Sequence, residues 1–164
     1  MSASLDLPDR HARVLIRILE LIDPRQYPWA LTGSAGLRLQ GVDVPVHDLD
    51  LQADFETIFR LGEVLEGNMT IALQEKESEH TRSVYGVVRI DGLQVKLMGD
   101  VRHRTEDGGW DCETAIESLR LWVKWNGRQV PVLPLEHEAV AYDRMRRPQK
   151  AELIREAILR SAND

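Results

Sequence analysis

A single cysteine in 164 residues leaves no partner for an internal disulfide, and Cys112 alone cannot build a thiolate metal site. The thiol count points to a reducing compartment and to a fold held together by its core. No run approaches the ~18 apolar residues of a membrane span. Met1 to Pro8 carries neither a basic cluster nor an apolar stretch, so no secretory signal is expected and a cytoplasmic location is. Positive charge is also in deficit, with 21 Lys and Arg against 27 Asp and Glu and a formal charge of −6. General DNA binding is disfavoured, because it depends on clustered cations that displace counterions. Nucleotides are not excluded, since carboxylates can hold a divalent cation against phosphates.

The length suits one domain, residues 1–164, and a chain of this size buries close to 70% of its unfolded surface without staples. Val14, Leu15, Ile18, Leu19 and Ile22 recur at helical spacing and end at Asp23-Pro24, which predicts an N-terminal helix within residues 1–24. Trp29 to Thr32 reads as a buried strand, Gly33-Ser34 as a turn, and Ala35 to Gln40 as a short helix. Asp48-Leu49-Asp50-Leu51 alternates as a strand does, and Phe55 to Leu65 restores a helical period. Met69 to Leu73 reads as a strand and the polar run Gln74 to Arg82 as a solvated loop or strand end. Two hairpins follow, turning at Asp91-Gly92 and at Asn126-Gly127, with the stretch from Asp100 to Trp110 between them expected to be a loop. Pro131 suggests that the last strand lies at an edge. Residues 135–162 read as C-terminal helices, with Pro148 opening the final one. The order predicts an α+β core over residues 29–133, a mixed sheet with helices packed on one face, and a C-terminal helical segment.

The informative segment is Thr32-Gly33-Ser34 followed by Asp48-Leu49-Asp50-Leu51. Strand alternation turns Asp48 and Asp50 to one face and Leu49 and Leu51 to the core. Two carboxylates side by side repel unless a cation neutralises them, and hard oxygen ligands of this kind suit Mg²⁺ with substrate phosphates. Gly33 permits close backbone approach, and Ser34 opens a short helix whose free N–H groups can face an anion. Either motif alone is commonplace, a capped turn or a pair of solvated acids. Together they suit phosphoryl or nucleotidyl transfer.

These residues resemble the nucleotidyltransferase superfamily with a DNA polymerase β-like catalytic fold, in the minimal branch that includes aminoglycoside and lincosamide nucleotidyltransferases. The motif pair carries the likeness, which extends to residues 46–54, 96–100 and 134–142. It implies a nucleoside triphosphate, ATP first among them, held against Gly33 and Ser34, with Mg²⁺ or Mn²⁺ at Asp48 and Asp50. The acceptor would be a hydroxyl on a small molecule, a protein side chain or an RNA end. The family further implies a third acid between apolar residues on a neighbouring strand, and here that position, between Val95 and Leu97, is Lys96. Asp100 could replace it if the chain bends at Gly99. The Lys96 ammonium could instead pair with Asp48 or Asp50, turn to solvent, or meet the triphosphate. If it displaces a metal, a nucleotide-binding or regulatory module with a protein partner becomes the alternative to an enzyme. His47 could reach a phosphate or order a carboxylate. Arg147 and Lys150 fall where related proteins carry basic residues toward the phosphates, though a solvated helical surface accounts for them as well. Arg102, His103 and Arg104 form a short basic patch that could meet an acidic acceptor or a polynucleotide, though three such residues in a loop are common.

Overall fold

A computed structural model describes residues 5–163. An opening helix, α1 (Asp9–Leu21), buries Val14, Leu15 and Ile18, each worth about 1.5–3 kcal/mol once removed from water. Trp29, fully buried, donates its indole N–H to the Ile22 carbonyl at 2.8 Å. That bond fixes the exit of α1 to the start of β1 (Trp29–Thr32). The short helix α2 (Gly33–Leu39) follows without a loop, then β2 (Leu49–Ala53) and α3 (Phe55–Val64), which Asp54 caps by accepting from the Thr57 amide at 2.7 Å. Three long strands come next, β3 (Met69–Glu77), β4 (Thr81–Ile90) and β5 (Leu93–His103). A single turn, α4 (Ile116–Leu119), leads into the hairpin of β6 (Leu121–Trp125) and β7 (Arg128–Val132). Two helices, α5 (Leu135–Arg144) and α6 (Pro148–Ala162), complete the chain.

The seven strands form one mixed sheet in the order β3-β4-β5-β2-β1-β7-β6. At its centre β2 runs antiparallel to β1 and parallel to β5. The main core joins α1 and α3 to Leu31, Leu49, Leu51, Val95 and Leu97 of the sheet. A second cluster joins α5 and α6 to Leu37, Val42 and Val44. The C-terminal helix pair is thereby anchored to α2 and the segment after it, at the point where the two acids enter the sheet. No helix among the described residues is long and apolar enough to cross a membrane.

Both hairpin turns form as their sequences require: Asp91 and Gly92, then Asn126 and Gly127, all adopt positive φ. One open reading is resolved and two expectations need correction. The polar run after Leu73 takes the strand alternative as far as Glu77, because Glu75, Lys76 and Glu77 pair with Val84, Ser83 and Arg82 across an exposed edge. Its charges are used across the ladder: Arg82 meets Glu75 at 2.8 Å, and Lys76 lies 4.1 Å from the Tyr85 ring centre. The expected loop from Asp100 begins as strand, since β5 continues to His103. Pro131 does not mark an edge, for β7 lies between β6 and β1. Contact with β1 is confined to Leu31 opposite Val132 and the Leu133 amide on the Leu31 carbonyl, so the N–H that proline lacks is not needed there.

Candidate active site

Three adjacent strands bring the sequence-derived residues into one row. The register of β1 on β2 sets Thr32 opposite Asp50, and that of β2 on β5 sets Asp50 opposite Lys96. Leu49 and Leu51 are fully buried in the core, so alternation directs Asp48 and Asp50 to the other face. Gly33 begins α2 directly after the Thr32 end of β1, with φ +69°. A Cβ on Gly33 would lie 2.3 Å from Asp50 Oδ2. Only a residue without a side chain lets the turn close onto the carboxylate in this way. Ser34 Oγ accepts the His47 amide at 3.3 Å, tying the start of α2 to the entrance of β2. His47 contributes through its backbone, because its carbonyl also meets His11 Nε2 at 2.5 Å while the residue itself is exposed.

The electrostatics of the row are uneven. Asp50 Oδ1 is sealed from solvent and has no hydrogen-bond partner. Burial pushes the Asp50 carboxyl up to about 6, with Lys96 opposing the shift and Asp48 adding to it. Lys96 Nζ lies 3.4 Å from Asp48 Oδ2. Burial works against the ammonium, but Asp50 and Asp48 together outweigh it and hold Lys96 above the ordinary lysine value. The strand position where the family resemblance implies an acid thus carries a cation, engaged with the two acids that remain.

The opposite wall comes from α5 and the turn after it. Glu138 is buried and accepts the Thr32 hydroxyl. Burial pushes its carboxyl up to about 7, the Thr32 hydroxyl and the Gly33 amide offsetting part of the shift and Asp50 adding to it. The Arg147 guanidinium sits 5.1 Å from the ring centre of the buried Tyr142. Burial pushes the Tyr142 phenol up to about 12, with Glu138 adding to it. A partly open cavity of about 200 Å³ has Gly33, Asp50, Glu138, Tyr142 and Arg147 in its lining. Lys150 stands half-buried in the first turn of α6, its ammonium lowered by burial and by neighbouring Arg147. Glu138 was not singled out from sequence, yet a signal is there. With Leu135, Ala139 and Tyr142 it forms the inward stripe of a helix, and an acid inside such a stripe needs a buried partner.

Asp100 does not join the row. Between Val84 opposite Gly99 and Arg82 opposite Arg102, two steps of β4 span three of β5, which is a bulge. Asp100 occupies it with φ +49° and accepts Arg102 Nε at 2.9 Å. The inserted residue reverses the alternation, so Val101 and His103, rather than Asp100, line the cavity with Asp50. The expected basic patch is likewise dispersed. Arg102 serves Asp100, Arg104 lies 3.9 Å from the Trp110 ring centre, and the His103 amide donates to Asp111 at 2.7 Å.

Among the described residues no group of three or more His, Cys, Asp and Glu is arranged to hold a metal ion. Asp48 and Asp50 alone, with one carboxylate oxygen buried and unpartnered, fit a single divalent cation that takes its other ligands from phosphate and water.

No match was found among curated protein sequences. A crystal structure of TM1012 from Thermotoga maritima, provisionally assigned as a nucleotidyltransferase, is similar at 33% identity and TM-score 0.82, over 95% of this chain and 97% of that one. The lincomycin-bound lincosamide adenylyltransferase LnuA shares the fold at TM-score 0.56 and 10% identity, over 91% and 99% of the two chains. ANT(2")-Ia in complex with adenylyl-2"-tobramycin does so at TM-score 0.54 and 17% identity, over 94% and 99%. The sequence profile of one family spans residues 14–155, from the core of α1 through the two acids to α6, and the chain belongs to that aminoglycoside-2''-adenylyltransferase family.

Proposed function

We propose that the chain transfers a nucleoside monophosphate from a triphosphate, ATP first among them, to a hydroxyl of a small-molecule acceptor. One observation carries this reading: the Asp50 carboxylate, with a buried and unpartnered oxygen, sits against the Gly33 turn and beside Asp48. A buried charge without a partner is costly, and a bound cation with its phosphates would relieve that cost. Asp48 and Asp50 would hold one Mg²⁺ or Mn²⁺, which supplies Lewis-acid stabilisation of charge on the phosphates.

The chain's own residues supply position and charge. Gly33 lets backbone approach the triphosphate, and the Ser34 hydroxyl, which accepts from His47, keeps its own proton to donate. Arg147, which lines the cavity, and its neighbour Lys150 offer cations for the outer phosphates. In the transfer, the acceptor oxygen attacks the α-phosphorus in line. The bond to the bridging oxygen breaks, pyrophosphate leaves with the electron pair, and the hydroxyl proton passes to solvent water. Family membership and the two small molecules bound by the similar structures, lincomycin and adenylyl-2"-tobramycin, favour a small acceptor over a protein side chain or an RNA end.

Incubation with α-labelled ATP, Mg²⁺ or Mn²⁺ and a fractionated cell extract tests the reading. Label is expected in the small-molecule fraction and lost with Asp48→Asn; label on protein or RNA would overturn the acceptor class. The contact between Lys96 and Asp48 favours a second reading, a nucleotide-binding module with little transfer. Binding of ATP without any labelled product would select it.

A further inference from the structure

Lys96 is placed as a built-in cation, and its position bears on how many metal ions the cleft can take. It stands directly opposite Asp50 on the parallel neighbouring strand, and its Nζ lies 3.4 Å from Asp48 Oδ2. Strand pairing fixes its Cα beside Asp50, and in the observed rotamer the ammonium interacts with both acids. No further carboxylate on β5 can supply a ligand from that side, since the bulge turns Asp100 away to Arg102. Glu138, the remaining acid near the row, is buried and engaged by the Thr32 hydroxyl.

We infer that this cleft works with one divalent cation, Lys96 standing as the fixed positive charge where a two-metal phosphoryl-transfer site places its second ion. The inference rests on the reading of Asp48 and Asp50 as cation ligands. Two-metal sites set their ions about 3.5–4 Å apart and clamp the attacking and leaving oxygens between them. A second divalent ion at that spacing would meet the ammonium instead of a ligand, and like charges at such range repel strongly in a partly buried cleft. The charge balance survives the exchange. Two carboxylates, one ammonium and one divalent cation leave a single net positive charge, as do three carboxylates with two divalent cations. The phosphates therefore meet the same net field from a smaller ion set.

Manganese provides a countable probe. The chain is saturated with α,β-methylene-ATP, whose carbon bridge resists transfer, and free Mn²⁺ is followed by its electron paramagnetic resonance signal during titration. One bound Mn²⁺ per chain is expected for the native protein, and two for Lys96→Glu, which restores an acid at that strand position. Two ions in the native protein, or one in folded Lys96→Glu, overturns the inference while leaving the cation role of Asp48 and Asp50 intact. No bound ion in the native protein overturns that role as well. Lys96→Gln removes the charge with little change of size, and should tighten nucleotide-free Mn²⁺ binding about tenfold, a loss of repulsion near 1.4 kcal/mol; unchanged affinity also overturns the inference.

Discussion

The carboxylate of Asp50 lies against the face of Gly33 where a side chain would begin, 2.3 Å from the position of the missing Cβ. Gly33→Ala therefore acts twice. A left-handed conformation costs alanine about 1–2 kcal/mol, and the new methyl must also displace Asp50 from its place in the row. The thermal midpoint should fall by roughly 2–4 °C for each kcal/mol, as read by circular dichroism. Label transfer should fall much further, by about tenfold or more, because a misplaced ligand affects the reacting geometry before it affects the core. Equal loss in Gly67→Ala, at a position between α3 and β3 where a methyl would meet no atom within 4 Å, would speak against this account.

Asp50→Asn should separate stability from activity. The burial that pushes the Asp50 carboxyl up to about 6 means that the ionised group destabilises the metal-free fold at neutral pH. A neutral amide of the same shape removes that cost, so urea unfolding without metal should show a gain of at most about 3 kcal/mol. Mn²⁺ binding and label transfer should disappear in the same protein.

Glu138 makes stability depend on pH. Its carboxyl lies at about 7 in the fold against an ordinary 4.5, so the folded chain holds a proton that the unfolded chain has released. The associated stability is complete below about 4.5 and is lost as pH rises through about 7, on the order of 3 kcal/mol over that window. Glu138→Gln keeps an acceptor for the Thr32 hydroxyl and cannot ionise. Denaturation at pH 5 and pH 8 should show the native protein losing more stability than the variant between the two. Parallel losses would place the titration elsewhere.

Lys150 and Arg147 are expected to act on nucleotide binding. Burial already disfavours the Lys150 ammonium, so Lys150→Met should leave the thermal midpoint within a few degrees. A lost contact to a phosphate costs about 1.5–3 kcal/mol, which corresponds to a rise in KM for ATP of roughly tenfold to a hundredfold with kcat nearly unchanged. A fall in kcat at constant KM would instead place Lys150 in the chemical step.

Much of the architecture was legible residue by residue. The apolar spacing of α1, the Asp91-Gly92 and Asn126-Gly127 turns, and the alternation at Asp48 to Leu51 each act over a few residues and survive in the fold. The edge strand β3 was not legible past Leu73, because a strand exposed on both faces has no apolar period to display. The bend at Gly99 that Asp100 would need to reach the acids was not legible for a different reason. Parity along β5 sets Asp100 on the face of Lys96, and a bulge fixed by pairing with β4 reverses that parity before it arrives.

Two acids on one strand face, a glycine before Ser34, and a lysine between Val95 and Leu97 can all be read from the order of residues. All of these follow from local geometry, a period of two or a turn that tolerates no side chain. What the lysine meets depends on how distant strands come together. Strand register, set by the packing of Leu49, Leu51, Val95 and Leu97 beneath α1 and α3, places Lys96 level with Asp50. Likewise, only the docking of α5 delivers Glu138 to Thr32, 106 residues away in sequence. Contacts at such separation arise from burial of the apolar faces on either side, and no local pattern encodes them.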